Sequence, residues 1–137
     1  MVEAHFGIPL SGAILNTINH RLDAEGIAFI LRHSECTLLL VDCELMTVAC
    51  AALEKLERPP AIVMIRDHLA PTSSDSDVTD YETLLAEGDP SFQGVWPSTE
   101  WQPIALNYTS GTTGDPKGVV VSHRGTCLLY TSPSPRD

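Results

Sequence analysis

The chain has 137 residues, 43% hydrophobic and 19% charged, a balance that suits one α/β core and excludes a fibrous or disordered chain. Eight Lys+Arg against eighteen Asp+Glu give a net charge of −10 with no basic stripe, which argues against a nucleic-acid partner. The opening residues M-V-E-A-H-F-G lack the charged and apolar regions of a secretory signal, and no apolar run approaches the roughly eighteen residues a membrane span needs.

In chain order, G-A-I-L-N-T-I-N (12–19) is apolar and reads as a buried strand. Asp23 then offers an N-cap to a helix whose Ile27, Ile30 and Leu31 fall at helical spacing. The short apolar run T-L-L-L-V-D (37–42) predicts a strand buried on both faces. Leu45, Val48, Ala49, Ala52, Leu53 and Leu56 predict one face of a helix stopped by Pro59-Pro60, and A-I-V-M-I (61–65) predicts another buried strand. Strands alternating with helices at this spacing imply βαβ units in a mainly parallel sheet. After the polar loop 70–80, Asp80 is expected to cap a short helix over Y-E-T-L-L-A-E that Gly88 closes. The Pro/Gly/Trp stretch 88–103 reads as a linker between two parts of one domain, and strands are expected over 104–109 and 118–122.

Between those two strands lies the most informative stretch, N-Y-T-S-G-T-T-G-D-P-K-G (107–118). Thr109, Ser110, Thr112 and Thr113 bring hydroxyl donors, and Gly111, Gly114 and Gly118 are expected to allow positive φ and close approach of backbone N–H groups to an anion. Asp115-Pro116-Lys117-Gly118 has the composition of a β-turn that would aim Lys117, the one cation, back at the hydroxyls. In an acidic chain that combination reads as a phosphate cradle; a ligand-free surface loop is the plainer alternative. A Walker-type loop is excluded, since Lys117 is followed by glycine and a strand rather than by Ser/Thr and a helix.

Y-T-S-G-T-T-G-D-P-K-G-V (108–119) resembles the signature phosphate loop of adenylate-forming enzymes. The stretches 5–24, 33–35, 39–42, 80–90 and 101–108 are similar to acyl-CoA synthetases acting on medium-chain or aromatic acids. The resemblance implies the large N-terminal α/β domain of an ATP-dependent acid–CoA ligase. Such an enzyme uses ATP, Mg2+ and coenzyme A, and its other partner is a small carboxylic acid. On that resemblance Thr109, Ser110, Gly111, Thr112, Thr113, Gly114 and Lys117 grip the ATP phosphates. The adenine and acyl pockets, the magnesium-binding glutamate and the catalytic lysine belong to later parts of the family's sequence, so no catalytic residue and no metal ligand is expected in this segment. Residues 1–126 are expected to be part of that domain, truncated at both ends and inactive by itself. The tail C-L-L-Y-T-S-P-S-P-R-D (127–137) resembles a translated transposase-type sequencing adapter. Two rival readings are a non-catalytic nucleotide-binding module that keeps only the phosphate loop, and a fragment without function.

Other residues invite roles they do not need. Ser122 is expected to cap a helix that holds His123 in its first turn, in a structural capacity. His33 with Cys36 lacks two further metal ligands, and Asp42 is read as a helix cap. The four cysteines, at 36, 43, 50 and 127, form no C-x-x-C pair and fit free thiols in a reduced compartment, the cytoplasm, with the peroxisome as the alternative.

Overall fold

The computed structural model describes residues 2–66, 78–109 and 115–131, with side chains to residue 128. The chain divides into two compact units, residues 19–91 and the pair of segments 2–18 and 92–131. Their boundary at 91/92 falls inside the Pro/Gly/Trp stretch.

The unit of residues 19–91 holds α2 (Ala24–His33), β2 (Leu38–Asp42), a 3-10 turn (Cys43–Leu45), α3 (Met46–Leu53), β3 (Ala61–Ile65), β4 (Thr79–Asp80) and α4 (Tyr81–Ala86). β2, β3 and β4 form a parallel sheet in that order, with Leu38 opposite Ala61 and Val63 opposite Thr79. The βαβ expectation holds for β2–α3–β3. It fails for the strand expected at 12–19, which is shortened to Leu15–Thr17 and belongs to the other unit's sheet.

α2 shows why these residues make a helix. Asp23 Oδ1 accepts from the Gly26 N–H at 2.9 Å, Glu25 sits at the positive end of the helix dipole, and Arg32 and His33 sit at the negative end. Ile27, Ala28, Ile30 and Leu31 form its buried stripe. The helix ends as the Cys36 N–H reaches back to the Leu31 carbonyl at 3.0 Å, with Glu35 between them at φ 51°. A left-handed non-glycine residue costs about 1–2 kcal/mol, part of which a glycine recovers after its own larger loss of chain entropy. Glu35→Gly is therefore expected to stabilise this unit by about 0.5–1 kcal/mol, read as a rise in the urea midpoint. An unchanged or lower midpoint would show that the Glu35 side chain contributes more than its backbone costs.

The helix expected over 45–56 is shorter at both ends. Asp42 caps the 3-10 turn by accepting from the Glu44 N–H at 3.0 Å, and i→i−3 bonds from Lys55 and Leu56 tighten the exit before Pro59 is reached. Its buried positions are Met46, Ala49 and Ala52; the first two pack with Val41 and Met64, flanked by half-buried Cys43 and Cys50. β3 is the buried strand (Val63, Met64), as its central place requires. β2 lies at the sheet edge, so the expectation that it is buried on both faces fails: Val41 alone is buried and Leu38 is exposed. Asp80 caps α4 by accepting from the Thr83 N–H at 3.3 Å, and its other oxygen lies 3.1 Å from Arg66 Nε, tying β4 to the end of β3.

The two residues doubted as metal ligands are otherwise engaged. His33 stacks on Phe29 with ring centroids 5.5 Å apart, and the Cys36 thiol donates to the Leu38 carbonyl at 3.2 Å. Burial pushes the Cys36 thiol above the usual thiol range.

The other unit holds α1 (Val2–Leu10), β1 (Leu15–Thr17), β5 (Pro103–Thr109), β6 (Lys117–Ser122) and α5 (His123–Thr131). β1 runs parallel to β5, and β5 antiparallel to β6. α1 had no periodic signal: it buries none of its residues, and Val2 and Phe6 are exposed. Its exit is set by Gly12 at φ 82°, which lets the Ala13 N–H reach the Ile8 carbonyl at 3.2 Å. Among the described residues no helix is long and apolar enough to cross a membrane.

Candidate functional site

The predicted site residues lie where β5 turns into β6. Leu106, Asn107, Tyr108 and Thr109 of β5 stand opposite Val120, Val119, Gly118 and Lys117 of β6. The pattern of β5, I-A-L-N-Y-T, keeps Leu106 and Tyr108 half-buried on one face while Asn107 and Thr109 are exposed on the other. On the exposed face, Thr17 Oγ1 donates to Asn107 Oδ1 at 2.8 Å across the β1–β5 register, so that β1 steadies the strand that leads into the loop.

Of the seven expected phosphate ligands, the structure brings Thr109 and Lys117 directly opposite each other at the open end of the hairpin, both exposed. Ser110, Gly111, Thr112, Thr113 and Gly114 lie outside the described residues. Two details differ from expectation. Lys117 and Gly118 are already paired strand residues, so the β-turn expected over 115–118 is not formed, because the ladder with Thr109 and Tyr108 captures them first. Gly118 does not take a positive φ either; the positive-φ glycines among the described residues are Gly12 and Gly94.

Beyond β6 the chain enters α5 as expected, with Ser122 Oγ accepting from the Gly125 N–H at 3.1 Å. The first turn is pinned to the segment before β5. The His123 N–H donates to the Gln102 carbonyl at 3.1 Å and the Arg124 N–H to the Glu100 carbonyl at 2.8 Å. The Arg124 guanidinium meets Glu100 Oε1 at 2.6 Å and lies 5.3 Å from the centroid of the Trp101 ring. The His123 side chain borders a shallow depression shared with Pro9, Trp96 and Gln102. Arg124 thus acts as a brace holding both ends of the β5–β6 hairpin, a role that composition alone did not reveal.

Chemically, the hairpin mouth offers, among the described residues, one cation, Lys117, and one hydroxyl, Thr109. Among the described residues no group of three His, Cys, Asp or Glu could hold a metal ion. The arrangement suits an anion that carries several oxygens.

The family model described as "AMP-binding enzyme" matches residues 1–134. The chain is 44% identical to the peroxisomal acetate/butyrate–CoA ligase of Arabidopsis thaliana over 144 residues, covering 96% of this chain and 25% of that ligase. It is 45% identical to the peroxisomal trans-cinnamate:CoA ligase of Petunia hybrida over 142 residues, covering 92% of this chain and 25% of the other. Among solved structures it is similar to an anthranilate CoA ligase in complex with anthranoyl-AMP, with TM-score 0.82 and 27% identity over 95% of this chain and 24% of that one. The chain spans about a quarter of the length of the curated relatives it matches. With the α/β architecture and the Thr109–Lys117 hairpin in place, these likenesses agree: the chain belongs to the AMP-binding enzyme family.

Proposed function

We propose that this segment is the phosphate-gripping part of an ATP-dependent acid–CoA ligase. In the first step a substrate carboxylate oxygen attacks the α-phosphorus of ATP, the bond to the β-phosphate oxygen breaks, and pyrophosphate leaves. In the second, the thiolate of coenzyme A displaces AMP from the acyl-adenylate and forms a thioester. The observation that carries the reading is the register that sets Lys117 opposite Thr109 at the two ends of the donor-rich residues 110–114. Negative charge builds on the departing pyrophosphate, and donors placed beforehand around it stabilise the transition state more than the ground state. Thr109, Ser110, Thr112 and Thr113 supply hydroxyls, Gly111 and Gly114 leave the backbone N–H groups accessible, and Lys117 supplies the charge. Mg2+ would bring charge neutralisation to the phosphates, and on the family resemblance its glutamate ligand belongs to a later part of the enzyme.

The acid is assigned to the small aliphatic and aromatic carboxylates. The support is the set of acids in the names of the relatives: acetate or butyrate, trans-cinnamate, and anthranilate. Purified full-length protein carrying this segment is expected to exchange pyrophosphate into ATP only when such an acid is present, and to form a thioester when coenzyme A is added. Nucleotide binding with no acid-dependent exchange would favour the rival reading, a non-catalytic module that keeps the loop. The 137-residue chain alone is proposed to be inactive, since proximity of acid, ATP and metal supplies much of the rate. We place the enzyme in the cytoplasm or the peroxisome; the names of two relatives support the peroxisome alone, and imaging a fluorescent full-length fusion decides.

A further inference from the structure

Gly118 occupies the register position facing Tyr108, one step inside the Thr109–Lys117 pair. A Cβ built on Gly118 would lie 3.1 Å from Leu106 Cδ1, 3.4 Å from Tyr108 Cζ and 3.5 Å from Tyr108 Cε1. The tight neighbour of such a Cβ is the end of Leu106, and the Tyr108 ring lies beside it at ordinary contact distance, so the ring already packs over Gly118. Gly118 is not in the left-handed region, so backbone freedom does not explain the glycine, whereas a Cβ there would push the Leu106 side chain aside. Among the described strands β6 pairs with β5, where a bare glycine weakens the ladder and an aromatic ring laid across it from the neighbouring strand restores packing. Burial raises the Tyr108 phenol above its usual range, in keeping with a ring sheltered against the sheet.

We propose that Tyr108 is a positioning residue: its ring, packed on Gly118, locks the strand register that holds Lys117 opposite Thr109 at the mouth of the loop. A slip of one residue would turn Lys117 to the other face of the hairpin. The proposal rests on the phosphate-gripping reading, and it predicts that Tyr108 acts through Lys117 and specifically on the use of ATP.

The test is a mutant cycle in the full-length enzyme, read by acid-dependent pyrophosphate exchange with KM and kcat determined separately for ATP and for the acid. Gly118→Ala and Tyr108→Ala are each expected to lower kcat/KM for ATP about tenfold and to leave KM for the acid within about twofold. The double variant should be no worse than the worse single one, because both substitutions disturb the same ring-on-glycine contact and it can be lost only once. Tyr108→Phe, which keeps the ring, should stay within about threefold of wild type. If Gly118→Ala does not fold, the contrast between Tyr108→Ala and Tyr108→Phe still decides. Losses that multiply to about a hundredfold in the double variant would overturn the proposal. So would a fall in kcat that matches a loss of folded enzyme measured on the same sample by circular dichroism. Lys117→Ala separates the two levels. If it is silent, the phosphate reading fails and the proposal with it; if it is damaging while the ring variants are silent, the positioning role alone fails.

Discussion

Replacing Lys117 by alanine in the full-length enzyme is expected to slow acid-dependent adenylation by roughly ten- to a hundredfold. A charge-assisted hydrogen bond to phosphate is worth about 1.5–3 kcal/mol, and each 1.36 kcal/mol is about tenfold in rate. The substitution removes an ammonium and leaves the backbone pairing of residue 117 with Thr109 intact, so the hairpin itself should persist. Lys117 is the single lysine or arginine in residues 107–118, and no neighbouring cation in the loop can substitute for it. The loss should appear in adenylation and in ATP use, while the affinity for coenzyme A stays unchanged. A rate within a factor of two of wild type would make Lys117 a solvated strand residue with no phosphate role.

The largest stability effect is expected at Met64. It is 0% exposed on the central strand β3 and packs with Val41, Met46 and Ala49. Truncation to alanine removes buried surface and leaves a cavity, at a cost of about 2–5 kcal/mol. Against a total stability of about 5–15 kcal/mol that is a large share. With a urea slope of about 1–3 kcal/mol per molar, the midpoint of the 137-residue chain should fall by at least about 0.7 M. Met64→Leu keeps the volume and should cost less than about 1.5 kcal/mol. Equal midpoints for the Ala variant and wild type would mean that this cluster does not carry the fold.

Local chemistry was legible in the sequence wherever neighbours in the chain decide the outcome. Asp23, Asp80 and Ser122 cap their helices as their positions imply, and A-I-V-M-I became the buried central strand at the expected residues. What depended on distant partners was not legible. Residues 15–17 look like the first strand of a βαβ series, yet they pair with Ala105, Leu106 and Asn107. The run Leu38–Asp42 is apolar enough for a central strand, but pairing places it at an edge. α1 escaped notice because it has no apolar stripe and no buried face. At the site, the motif marked Thr109 and Lys117, and the structure added their register. The spatial reason for Gly118 was hidden, because composition suggests backbone freedom for any glycine in a loop. The β5 side chains Leu106 and Tyr108 are what a Cβ at 118 would meet, and only the cross-strand register reveals them.

The central claim is that Lys117 meets the phosphates of ATP, and the chain carries its own control. Its two lysines are Lys117, at the hairpin mouth, and Lys55, whose Nζ lies 2.6 Å from Glu25 Oε1 in the other unit. In the full-length enzyme, amine modification of each lysine can be followed by mass spectrometry with ATP, pyrophosphate or adenosine present. ATP and pyrophosphate are expected to protect Lys117 and leave Lys55 labelled as before, while adenosine protects neither. Labelling of Lys117 at the same rate with and without saturating ATP would contradict the account.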